Sequence, residues 1–84
     1  MKHASEAALS TLQELLDELR ILPELRERKP GVFYRKSRAF LHFHEDHDRI
    51  YADVRLDGSV FDRVPATTRS DQKRLLAAIK KAFA

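Results

Sequence analysis

The chain has no cysteine and no tryptophan, and only two glycines and three prolines among 84 residues. Without cysteine there is no disulfide framework and no thiolate metal site. So few glycines and prolines leave little room for a linker-rich or low-complexity chain. No apolar run approaches the roughly 18 residues that a membrane helix needs, and no secretory h-region follows Met1-Lys2. A cytoplasmic protein is expected, with no membrane association. Two domains would each fall near the ~40-residue limit below which a chain needs staples, so one domain covering residues 1–84 is expected.

What is present is charge: 35% of residues are charged, with a net charge of +3, against 43% hydrophobic. The charges come in alternating blocks. Residues 25–38 carry Arg26, Arg28, Lys29, Arg35, Lys36 and Arg38 against Glu27 alone. Residues 39–62 are mostly acidic, and 63–84 are basic again. The first expectation for such blocks is mutual neutralisation between packed elements.

Periodicity predicts a helix over 4–19, because Ala8, Leu12, Leu15, Leu16 and Leu19 recur at helical spacing. Ser5 is its candidate N-cap, and Leu22-Pro23 ends it. Residues 24–31 read as a charged connector closed by Pro30-Gly31. The middle reads as strands: a short one at Val32-Phe33-Tyr34, then alternating runs over 39–44 and 49–56. Asp57-Gly58 predicts a two-residue hairpin turn into a last strand over 59–64. A second helix follows over 69–83, with Thr68 and Asp71 as a capping box and Leu75, Leu76 and Ile79 on its apolar stripe. The expected fold is α+β: an antiparallel meander covered on one face by two terminal helices.

A turn at Asp46-His47 would oppose Phe43 to Ile50, Leu41 to Ala52 and Ala39 to Val54, with every apolar partner on one face. The other face would then carry Phe33, Arg38, Phe40, His42, His44, Tyr51, Asp53 and Arg55. Three readings compete for it: a surface for a protein partner or a second copy, a nucleic-acid platform of aromatics and arginines, and rings tucked under the connector to complete the core. His42 and His44 lie two residues apart on one strand face, with His47 and several carboxylates following. Imidazole with carboxylate suits zinc or a similar metal. The acidic face of the first helix, with Glu14, Asp17 and Glu18, offers at most a poor cage for a hard cation. No nucleophile motif accompanies the histidines, so the expectation is a binding module and not an enzyme, with no cofactor.

The helix–meander–helix order resembles the frataxin-type and MmcQ/YjbR-type small α+β domains. The first resemblance implies an acidic first helix used for iron, on ground here occupied by Glu14, Asp17 and Glu18. The segment Phe40-Leu41-His42-Phe43-His44, followed by Ala52-Asp53-Val54-Arg55-Leu56, is similar to small bacterial luciferase-domain proteins. That resemblance implies a bacterial domain in which His42, His44 and Asp53 are the matching positions. Neither resemblance carries an assigned activity. The expected function is a binding or interaction module using the open sheet face; the alternatives are a nucleic-acid platform and metal binding through His42, His44 and Asp53.

Overall fold

The computed structural model describes residues 2–84. Its elements run β1 (Lys2–His3), α1 (Glu6–Thr11), α2 (Gln13–Ile21), β2 (Arg26–Lys29), β3 (Val32–Arg35), β4 (Arg38–Asp46), β5 (Arg49–Val54), β6 (Asp62–Pro65) and α3 (Arg69–Phe83). The strands form one antiparallel sheet in the order β2-β3-β4-β5-β6, with β1 added beside the far end of β4. The fold is α+β, as the pattern of helices and alternating strands predicts. Leu12, Leu16 and Leu19 from the N-terminal helices meet Leu75 and Ile79 of α3 and Phe33, Phe43 and Val54 of the sheet in one core. The helices cover one face of the sheet and leave the other open.

The N-terminal helix is two helices instead of one. Leu12 ends α1 and begins α2 with ψ near 1°, although its N–H still bonds to Ala8 O and its carbonyl still accepts from Leu16. The Thr11 hydroxyl donates back to Ala7 O at 3.2 Å, a side-chain bond that bends helices. Ser5 caps α1 by accepting from the Ala8 N–H, and Leu22 leaves α2 in extended geometry ahead of Pro23. At the other end of the chain, α3 spans the predicted residues, and its Thr68–Asp71 capping box is complete.

The expected connector over 24–31 is largely a strand. Arg26–Lys29 pairs with β3 as an edge strand, and its alternating charges hide it from a search for apolar periodicity. Glu27 locks this edge down. Its carboxylate accepts Arg20 Nε at 2.6 Å and the Gly31 N–H at 3.0 Å, tying α2 to the β2–β3 turn. Gly31 turns the chain with φ +76°, and a Cβ there would lie 2.9 Å from Leu9. The two-residue turn expected at Asp57-Gly58 is absent, although β5 and β6 still pair antiparallel, with β6 over Asp62–Pro65 instead of 59–64. The chain crosses from β5 to β6 through residues 55–61, and only Gly58 takes positive φ there.

Register departs from expectation at two places. The β4–β5 turn is His47-Asp48, with His47 at φ +58°, so Leu41 opposes Val54 and Phe43 opposes Ala52. This is a slip of two residues from the expected pairing, and a slip of two keeps every side chain on its face. The second departure changes faces. A bulge in β4 opposite Phe33/Tyr34 shifts the β3–β4 pairing by one residue, so Phe33 opposes Leu41 instead of Phe40. Phe33 and Phe40 are therefore both in the core, 0% and 3% exposed, and Phe40 packs on Phe83 of α3 at 5.3 Å. Their expected place on the open face is overturned.

Arg20 holds the Glu27 carboxyl below its ordinary value of 4.5, and the Gly31 N–H adds to the effect against the opposing cost of burial. A carboxylate with a depressed folded value contributes stability fully above the unfolded value and loses it as pH falls through the folded one. Glu27→Gln is expected to lower stability by about 1 kcal/mol at neutral pH. Denaturant unfolding of both chains should show that gap closing below pH 4.5; an unchanged gap in acid would assign the loss to packing.

Candidate metal centre

The slipped register builds the site. With the turn at His47-Asp48, His42 stands directly across from Asp53, and His44 across from Tyr51, all on the open face. On the next strand Arg63 stands across from Asp53. Strand alternation keeps Leu41 and Phe43 below, so the two imidazoles rise from a β4 segment fixed by its own core residues.

Asp53 is the centre of the group. It is 8% exposed, and among the described residues it and Gln72 are the buried polar or charged side chains. His44 Nε2 lies 2.9 Å from Asp53 Oδ2, and His42 Nε2 lies 3.8 Å from the same oxygen. Arg63 donates Nε to Oδ1 at 2.8 Å and a terminal nitrogen to Oδ2 at 2.9 Å. The imidazoles of His42 and His44 stand edge to face, 4.6 Å between centroids. His44 Nε2 is buried beside the Asp53 carboxylate, at ion-pair distance from it.

Each of His42, His44 and Asp53 offers one ligand atom, and these atoms lie within 4.8 Å of one another. Tetrahedral zinc with bonds of about 2.1 Å needs ligand atoms about 3.4 Å apart. The two separations to Asp53 Oδ2 bracket that value.

Charge and burial act differently on the members. Arg63, by its paired hydrogen bonds, holds the Asp53 carboxyl below its ordinary range; burial works against this, and the two histidines assist it. Burial, then the proximity of His44, depresses His42 below its ordinary 6.5, with Asp53 opposing. His42 is thereby kept neutral, the form in which imidazole binds metal.

Of the other expected site residues, Tyr51 is half-buried beside the cluster, across from Pro65 of β6. Arg55 lies past the end of β5 with its guanidinium 4.1 Å over the Phe61 ring. Arg38 is at the far end of β4, paired with Arg35 and donating to Gly58 O at 3.1 Å. His47 sits exposed in the turn, 3.7 Å from Asp46, and stands outside the cluster.

Three members were not legible. Arg63 needs the β5–β6 register. Phe61, edge-on to His42 at 5.1 Å, comes from the irregular 55–61 segment. His3 is brought opposite His44 by a strand of two residues, too short to show periodicity, and its charge acts on His42.

Comparison of the chain with known protein families, curated proteins and solved structures finds no match. The resemblance to frataxin-type, MmcQ/YjbR-type and luciferase-domain proteins rests on topology and on the quoted segments alone.

A proton-sensitive measurement checks the electrostatics. In an NMR titration of the four histidines, His42 is expected to titrate below 6.5. The unfolded chain then takes up its proton first, so the His42 contribution to stability is lost as pH falls from 6.5 through the folded value. A His42 midpoint at or above 6.5 would contradict this.

Proposed function

We propose that the chain is a binding module whose open sheet face takes a divalent transition-metal ion through His42, His44 and Asp53. The observation that carries this is the convergence of three ligand atoms within 4.8 Å around a buried carboxylate. Two imidazoles and a carboxylate form a borderline donor set that favours zinc, cobalt or nickel over magnesium or calcium. Three protein ligands leave a further position for water, for a donor from a partner, or for His3 across β1–β4.

Arg63 is the built-in competitor. It occupies both oxygens of Asp53, but its side chain is half-exposed and can swing out as the ion enters. Arg63 thus keeps the carboxylate ionised and in place while the site is empty, at a cost in affinity.

Cobalt(II) and zinc titrations followed by visible absorption and calorimetry test the reading. The unsubstituted chain should bind one ion, and His42→Ala/His44→Ala should weaken binding about 100-fold or more, as loss of two of three ligands requires. Arg63→Gln should tighten it about tenfold, since a charge-assisted pair no longer competes. Equal affinity in the double-alanine variant would remove the proposal.

A further inference from the structure

A second feature lies at the opposite end of β4, where the β3–β4 turn meets the start of the 55–61 crossing. The block expectation for the charges holds for part of the chain only. Half of the C-terminal basic block is neutralised across elements: Arg63 with Asp53, Arg69 with Glu14, Lys80 with Glu18. The 25–38 block is not. Among the described residues no ion pair involves Arg26, Arg28, Arg35, Lys36 or Arg38. Its one acid, Glu27, is consumed by Arg20 and the Gly31 N–H.

These cations gather around two adjoining grooves that share Lys36. One, of about 230 Å³, is lined by Arg35, Lys36, Arg38 and Arg55 with no acidic side chain. The other, of about 520 Å³, takes Arg26, Arg28 and Lys36 with Tyr34, and Glu24 is its one acid. The nearby Asp57 carboxylate is turned to the Ser59 N–H and hydroxyl.

The guanidiniums are steadied without being neutralised. Arg35 lies 4.3 Å over the Phe83 ring, Arg55 over Phe61, and Arg28 4.8 Å over Tyr34, while Arg38 donates to a backbone carbonyl. Arg55 Nε is buried with no acceptor. Like charges held close, one with a buried unmet donor, raise the free energy of the empty protein and reward a polyanion that enters. Aromatic rings beneath arginines leave the outer guanidinium edges free for phosphate oxygens.

We infer that this basic double groove binds the phosphodiester backbone of a single-stranded nucleic acid. Two grooves joined at Lys36 suit a train of phosphates better than one phosphoryl group, and half-buried Tyr34 offers a ring to a base. The open-face platform built on Phe33 and Phe40 is excluded by their burial. This site draws on different charged residues from the histidine cluster, and the two meet at Phe61, which lies edge-on to His42 and beneath Arg55.

The test is fluorescence anisotropy with a labelled mixed-sequence oligonucleotide of about 12 nucleotides, between about 50 and 200 mM salt. Binding should weaken steeply with salt. Lys36→Glu/Arg38→Glu should weaken it at least about tenfold and flatten the salt slope by about two. Lys73→Glu/Lys81→Glu on α3 changes net charge equally and should stay within about twofold of the unsubstituted chain. Circular dichroism checks folding, and Arg26→Gln/Arg28→Gln gives the same reading should the first pair fail to fold. Absence of oligonucleotide binding at low salt would overturn the inference. So would equal weakening by the α3 pair, or sedimentation with phosphatidylglycerol vesicles in place of oligonucleotide binding.

Discussion

One extra residue in β4 decides what each face of this sheet becomes. The bulge next to Phe40 lets two successive residues, Phe40 and Leu41, serve the core, and it brings Phe33 across from Leu41. In a chain this short, two more phenylalanines inside matter: each contributes roughly 1.5–3 kcal/mol of burial. Beyond the bulge normal alternation resumes, so His42 and His44 emerge on the far side. The same irregularity thus completes the hydrophobic core and strips the open face of two phenylalanine rings, leaving Tyr51 with imidazoles, a carboxylate and arginines.

Much of this was legible in the residues. The helix over Arg69–Phe83 and its cap follow from local rules: a capping box, an apolar stripe, and lysines in the last turn where the helix dipole favours them. Strand existence and facing also follow, because alternation is a strong local signal. His42, His44 and Asp53 were expected on one face, and they share it. What was not legible was non-local. The β4–β5 turn moved by one residue because His47 accepts positive φ, a possibility that composition does not reveal. The bulge depends on Phe83 and α3 being there to receive Phe40. The β2 strand lacks apolar alternation because its partners across space are Tyr34 and Phe33, and its own side chains largely meet water.

Electrostatics divides the molecule into two regimes. Around Asp53 and Glu27, opposite charges are close, partly buried and hydrogen-bonded, and each carboxyl is held below its ordinary value by its arginine. Around Lys36, cations gather with Glu24 as the one acid of the grooves, and among the described residues none of them forms an ion pair. The first regime stabilises the fold from within; the second leaves its charges facing solvent. Charge blocks in a sequence therefore do not reveal by themselves whether they close on one another. In this chain, Arg20 removes the one acid that would have balanced its neighbours.

The edges of the sheet carry a consequence for assembly. One margin is β2, four residues of alternating arginine, glutamate and lysine, disrupted between Glu27 and Lys29. The other is β6, equally short, beginning at Asp62 and closed by Pro65, which has no N–H to offer. Both margins are poor templates for another strand. Copies of this chain are thereby discouraged from stacking edge to edge into fibrils, and any higher-order contact is steered toward the broad surfaces of the sheet and helices.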